Sequence, residues 1–176
     1  MTLIDTHCRI YLDMFEDDLD SVLQRAADAG VREIFMPAID TGSLRQMDRL
    51  NHPEITFRKM AGLHPGQVGK VEALTEEQLH DLAAPDEIIA VGETGLDYYW
   101  SRDHVAEQKR NLTIHCRVAK ALDKPIVLHN RESTEDLLDL IADEQDGSLR
   151  GVWHCFTGTA EEGRRAIDLG LNLGIG

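Results

Sequence analysis

Five side chains able to hold a metal ion fall where apolar runs stop: His7, His64, Glu93, His129 and His154. His7 follows Leu3-Ile4-Asp5-Thr6, Glu93 follows Ile88-Ile89-Ala90-Val91-Gly92, and His129 closes Pro125-Ile126-Val127-Leu128. Imidazole with carboxylate is the donor mix that zinc takes. One histidine in such a place is ordinarily a core residue with satisfied hydrogen bonds. Four of them with a glutamate are harder to satisfy separately, because each buried imidazole needs its own partners. A shared divalent cation satisfies several at once. Gly92 and Gly95 flank Glu93-Thr94, so the backbone there can turn tightly or approach another segment closely. The bland reading of Glu93 is a carboxylate that bonds loop amides at a strand end. The other histidines, His52, His80, His104 and His115, fall on helices or loops and read as solvated.

The elements that must position these groups alternate strictly. Apolar runs predict strands at Leu3–Cys8, Val31–Ile39, Ile55–Leu63, the Ile88 stretch, Pro125–His129, Gly151–Cys155 and Leu171–Ile175. Between them, periodic stripes predict helices. The first is capped by Asp17 or Asp18 and ended by Gly30; a short one runs from Ser43 to Leu50. Others run to about Ala84, from Asp103 to Leu122, from Ser133 to Ala142, and up to Gly170. Thr75-Glu76-Glu77-Gln78 and Thr159-Ala160-Glu161-Glu162 are capping boxes. The uninterrupted run Ile88–Val91 suits a strand buried on both faces.

Strand–helix alternation implies a parallel sheet. The predicted class is α/β, an incomplete TIM-type (β/α) barrel of about seven parallel strands and six helices, as one domain over residues 1–176. Eight units would close a barrel, in about 250 residues. In such a barrel the carboxyl ends of the strands converge on one face, which brings the histidines together. A doubly wound open sheet competes, but no Gly-rich phosphate loop follows the first strand.

The formal net charge of −14 excludes a generic basic nucleic-acid groove. It leaves room for a metal-centred phosphoesterase, where ions supply the local positive charge. No apolar run approaches the ~20 residues a membrane helix needs, so no membrane association is expected. The start, Met1-Thr2-Leu3-Ile4-Asp5, does not read as a signal peptide. Cys8, Cys116 and Cys155 are widely spaced and form no C-x-x-C pair. They read as reduced thiols of a cytoplasmic protein rather than a disulfide framework or a zinc knot.

Five stretches together resemble the TatD-like metal-dependent hydrolases, many of them deoxyribonucleases. They are Asp5-Thr6-His7-Cys8, Gly62-Leu63-His64-Pro65, Gly92-Glu93-Thr94-Gly95-Leu96-Asp97-Tyr98-Tyr99, Leu128-His129-Asn130-Arg131 and His154-Cys155-Phe156-Thr157-Gly158. They occur in the family's order and span nearly the whole chain. The resemblance implies a distorted (β/α)8 barrel with two divalent ions, of zinc, magnesium or manganese, that hydrolyse phosphodiesters of DNA. It also implies the ligand sets. One ion takes two histidines of the first strand, the glutamate and an aspartate after the eighth strand. The other takes the glutamate and the histidines of the fifth and sixth strands.

On that pattern the second set is complete as Glu93, His129 and His154, while the first keeps His7 alone. Where the family has His-x-His, this chain has His7-Cys8-Arg9, and the eighth strand lies beyond Gly176. The expectation is one divalent ion per chain and an impaired DNase-like hydrolase. The alternative is a catalytically silent, truncated member acting as a binding or structural protein. A third reading is hydrolysis of another ester or amide. Arg9 either pairs with Glu93 or a substrate phosphate, as a fixed positive charge, or swings to solvent. His64 is read as a catalytic proton shuttle or phosphate contact. Arg131 is read as a phosphate contact or as an ion pair with Glu132 or Glu135. Asp97 is expected to orient the Glu93 loop. An open barrel edge would favour a homo-oligomer through its unpaired strands.

Overall fold

In the computed structural model, which describes residues 1–176, the alternation is realised as one parallel seven-stranded sheet. The strands are β1 (Leu3–Asp5), β2 (Val31–Met36), β3 (Thr56–Ala61), β4 (Ile88–Asp97), β5 (Ile126–Arg131), β6 (Gly151–Trp153) and β7 (Leu171–Leu173). They lie side by side in sequence order. The helices are α1 (Leu19–Asp28), α2 (Ser43–Met47), α3 (Glu76–Ala83), α4 (Val105–Ala121), α5 (Thr134–Glu144) and α6 (Ala160–Asp168). Short 3-10 turns at Asp13–Phe15 and Pro65–Gln67 complete the elements. This is an incomplete TIM-type barrel. No helix is long and apolar enough to cross a membrane.

The central strand β4 is buried along its whole length except at Ile89, which is half-buried. Alternate side chains feed two layers. Ala61, Val91, Ile126 and Leu128 face outward onto Leu79, Leu112, Leu137 and Ile141 of the covering helices. Met60, Ala90 and Val127 form a smaller concave layer with Phe35 and Val152. These last two, from β2 and β6, line one cavity of about 450 Å³, so the sheet curls on itself. A separate cluster under α1 and α2 holds Leu23, Ile34, Met36 and Met47.

Both capping boxes form. Thr75 Oγ1 accepts the Gln78 N–H at 3.1 Å and Thr159 Oγ1 accepts the Glu162 N–H at 3.2 Å, while each third-position side chain returns a bond to the cap amide. Gly30, at φ +97°, ends α1 in the left-handed conformation. Asp18 precedes α1 but makes no side-chain cap; its carboxylate lies 3.7 Å from Arg25 instead.

His115 is fully buried rather than solvated. It belongs to a polar stripe on α4, Gln108, Asn111 and His115, at the three- and four-residue spacing that shares one helix face. That stripe satisfies backbone groups where the strands run beyond their ladders. Gln108 accepts the Asp97 N–H at 2.8 Å and donates to the Asp97 carbonyl at 3.0 Å. Asn111 donates to the Leu63 carbonyl at 3.0 Å, and His115 Nε2 accepts the Leu63 N–H at 3.0 Å. The stripe therefore anchors the segments that carry His64 and Asp97.

Gly95 lets β4 and β5 close. Its φ is +137°, and a Cβ there would lie 2.0 Å from the His129 carbonyl oxygen. Gly95→Ala should cost about 3 kcal/mol, from overpacking and backbone strain together. Thermal unfolding followed by circular dichroism should show a melting temperature lower by roughly 6–12 °C. A change under about 2 °C would mean that the strands separate easily at this point.

Candidate metal centre

Each candidate residue reaches the carboxyl face by its own support. The segment after β1 is pinned at three points: Asp5 accepts the His7 N–H at 3.1 Å, the Cys8 N–H bonds Phe35 O at 3.0 Å, and buried Tyr11 donates to Pro37 O at 2.7 Å. His7 and Arg9 lie on this segment, past the end of β1. Glu93 is 1% exposed, and its N–H donates to Ala38 O at 3.2 Å. The His64 N–H bonds Ile39 O at 2.9 Å.

The carboxylate of Glu93 is the common point. His7 Nε2 lies 3.0 Å from its Oε2, and the Arg9 guanidinium donates to the same oxygen. On the other oxygen, Oε1, His129 Nδ1 lies at 3.4 Å and His64 Nε2 at 3.9 Å. The His154 ring stacks flat on His7, centroid to centroid 3.4 Å. Two donor groups result, His7–Glu93–His154 and His64–Glu93–His129, each with its ligand atoms within 4.8 Å of one another. The grouping differs from Glu93–His129–His154, because the curl of the sheet sets the end of β6 beside the segment after β1.

Hydrogen bonds fix the tautomers. His129 Nε2 lies 2.9 Å from Asp97 Oδ2 and donates to it, which turns Nδ1 toward Glu93 Oε1. The Nδ1–Oε1 approach of 3.4 Å becomes favourable when a proton or a divalent cation is shared between the two atoms. Asp97 thus orients His129, rather than the Glu93 loop. Carboxylate-held histidine is a common support for metal ligands. His64 Nδ1 accepts the Gly66 N–H at 3.0 Å, so the neutral ring carries its proton on Nε2 and presents a donor to the cavity.

The electrostatics suit a cation. Burial pushes the Glu93 carboxyl up, but hydrogen bonds with His129 and His7 and the Arg9 charge outweigh it, and the group stays far below the usual carboxylate range. Burial pushes His64 down to about 4, against the opposing pull of Glu93. His154 is lowered by burial and by His7. His64 and His154 are therefore neutral at pH 7. On the Oε1 side, the donors fit a divalent ion. On the Oε2 side a guanidinium already stands beside the carboxylate, as one reading of Arg9 expected. The Arg9 Nε is buried without a hydrogen-bond partner.

Every residue chosen from the sequence, His7, Arg9, His64, Glu93, His129, Arg131 and His154, lines one cavity of about 680 Å³. Arg131 makes no ion pair with Glu132 or Glu135; its guanidinium lies 3.5 Å from the Tyr99 ring centroid, and Glu135 pairs with Arg165. Sequence reasoning missed Trp100, Asn130, Cys155 and Thr157, which complete the lining. It also missed the Asp97–His129 pair. A signal was present: Asp97 lies four residues past Glu93, so the two share a face of β4.

The chain has clear relatives. The family profile described as TatD related DNase matches residues 4–176. The metal-dependent hydrolase YabD of Bacillus subtilis is 32% identical over 99% of this chain and 68% of its own length. The 3'-5' ssDNA/RNA exonuclease TatD of Escherichia coli is 31% identical over 98% of this chain and 66% of its own length. The crystal structure of the E. coli TatD homologue YjjV superimposes with a TM-score of 0.85 at 31% identity, over 97% of this chain and 66% of that one. The chain thus spans about two thirds of the length of these relatives.

Proposed function

The chain belongs to the TatD related DNase family, and from that premise we propose that it is a divalent-metal-dependent hydrolase of DNA phosphodiesters. The observation that carries the reading is the line Asp97–His129–Glu93. It sets His129 Nδ1 3.4 Å from Glu93 Oε1, with the far side of the ring held by Asp97, an arrangement suited to sharing a divalent cation. Glu93 and His129 would hold the ion, while His7 and His154 form the second donor group on the Oε2 side, beside Arg9. The imidazole-rich set suits zinc, and magnesium or manganese are the oxygen-preferring alternatives. One ion per chain is the expected stoichiometry, because Arg9 neutralises the other side of Glu93.

A divalent ion held there would supply Lewis acidity toward a phosphoryl oxygen and an attacking water. The chain's own groups do the rest. His64 Nε2–H donates toward the leaving oxygen. Arg131 offers its free guanidinium to non-bridging phosphate oxygens, and Arg9, held by Glu93, adds a fixed positive charge to the same cavity. Asp97 holds His129 in the tautomer that leaves Nδ1 free. The three cysteines are free thiols, which suits a reducing cytoplasm.

A second reading, a catalytically silent family member acting as a binding or structural protein, is favoured by the Arg9–Glu93 contact. Metal content and hydrolysis of single-stranded DNA, with zinc, magnesium or manganese added, separate the two. The wild type should hold about one ion and Arg9→His about two, with hydrolysis rising roughly tenfold or more in the variant. Two tightly held ions in the wild type would refute the role given to Arg9. No hydrolysis by either protein would favour the silent reading.

A further inference from the structure

Trp100 is 78% exposed, whereas the other tryptophan, Trp153, is 1% exposed in the core. Trp100 lines the same cavity as Glu93 and His129. Its ring meets Tyr99 edge-on, at 4.7 Å and 86°. The perpendicular contact steadies the indole, which stays largely exposed. Arg131 lies over the Tyr99 ring and, at 5.5 Å, over one side of the Trp100 ring, with no carboxylate pairing it; the exposure of Trp100 leaves the indole's other side to solvent. A flat aromatic face and a free guanidinium thus sit side by side at the mouth of a candidate phosphodiester site.

We propose that Trp100 and Arg131 form a platform on which one nucleobase of a single-stranded substrate stacks, with Arg131 holding the adjoining phosphate. The proposal rests on reading the cavity as a phosphodiester site. The chain's charge of −14 rules out affinity built from many phosphate contacts. Stacking supplies affinity without a basic groove and accepts any base, since each has a π-face. Paired and stacked duplex bases present no free face, so the platform selects single strands or frayed ends. The neighbouring amide of Asn130 is already engaged with Thr134 and Ser133, at 3.0 and 2.8 Å. It is therefore not free to read base edges, and the platform should tolerate sequence.

The test is binding to the full chain in a chelator, where no hydrolysis occurs. The probes are a thymidine octamer, an abasic octamer with the same phosphates, and a blunt duplex. The thymidine octamer should quench the exposed-tryptophan fluorescence and bind at least about 5-fold more tightly than the other two. Trp100→Ala should weaken that binding about 5- to 100-fold and leave the abasic octamer unchanged, while Trp100→Phe stays within about 3-fold of wild type. Equal binding of thymidine and abasic octamers, an unaffected Trp100→Ala, or no thymidine binding up to about 1 mM would overturn the platform. Hydrolysis is scored separately. Base-dependent binding without hydrolysis would retain the platform and reject the hydrolase, whereas hydrolysis with base-independent binding would do the reverse.

Discussion

Glu93→Gln is expected to lower metal-dependent diester hydrolysis by at least about 10³-fold, roughly 4 kcal/mol of barrier. The size follows from the number of partners that converge on one side chain. The carboxylate receives His7 and Arg9 on one oxygen and faces His129 and His64 on the other. Glutamine is isosteric but neutral, and its NH2 group presents donors where acceptors are required. Set toward His129, the amide nitrogen takes the place of Oε1 and presents a donor to His129 Nδ1 where a cation's ligand is needed. Set toward Arg9, it faces a guanidinium donor with donors. Metal content should fall below about one tenth of an ion per chain, in step with activity. The fold should persist, because Arg9 is 32% exposed and can turn to water when its partner is lost. Far-ultraviolet circular dichroism alongside elemental analysis separates a lost site from a lost fold. A folded Glu93→Gln that retains its ion would remove Glu93 from the ligand set.

The metal-free chain should lose about 3 kcal/mol between pH 6.5 and 4 through His115 alone. Burial pushes this imidazole down to about 4, only partly offset by its bond to Asn111 O. Its Nδ1–H donates to that carbonyl at 2.7 Å, while Nε2 must stay unprotonated to accept the Leu63 N–H. A second proton would drive a donor against a donor in a dry site. The unfolded chain takes up this proton near 6.5 and the folded chain only near 4. The contribution is therefore complete above pH 6.5 and is lost as the pH falls through that window. His64 shifts in the same direction and adds to the slope. Glu93 works in another window: its depressed carboxyl contributes stability above the ordinary value of 4.5 and loses it only as the pH falls below that. His115 alone should lower the melting temperature by roughly 6–12 °C from pH 7 to 4, and the wild type should fall by at least that much. The slope should be distinctly shallower in His115→Gln, which starts from a lower melting temperature at pH 7. Parallel slopes for the two proteins would show that His115 is not the sensor.

How much of this could be read from the chain depends on the range of the interaction. Strand and helix order, the Thr75 and Thr159 caps and the Gly30 stop are set by neighbours within one or two turns, and periodicity reports them well. Histidines at strand ends could be gathered on one face because parallel strands all point the same way. Arg9 could be placed beside Glu93 only as one of two readings, since the choice depends on the pinned segment between β1 and Tyr11. Which imidazole meets which was not legible. The stacking of His154 on His7 depends on how far the sheet curls, a sum of small twists that no local pattern encodes. His115 misled for a related reason. A lone histidine on a helix reads as polar surface, and only the unsatisfied Leu63 amide across the interface gives it a reason to be buried.

The strand order has a consequence for how the centre comes into being. Every strand hydrogen-bonds only to its neighbours in sequence, so the sheet can grow stepwise, one strand–helix–strand crossover at a time. The centre shares none of that locality: His7 lies 86 residues from Glu93, and Glu93 answers to both β1 and β5. A partly assembled sheet holds isolated histidines and no centre. Only when the arc from β1 to β6 has closed do the donors face one another. A cation that recognises the finished set then stabilises the whole arc by mass action. Affinity for the ion is thus also a record of completed folding.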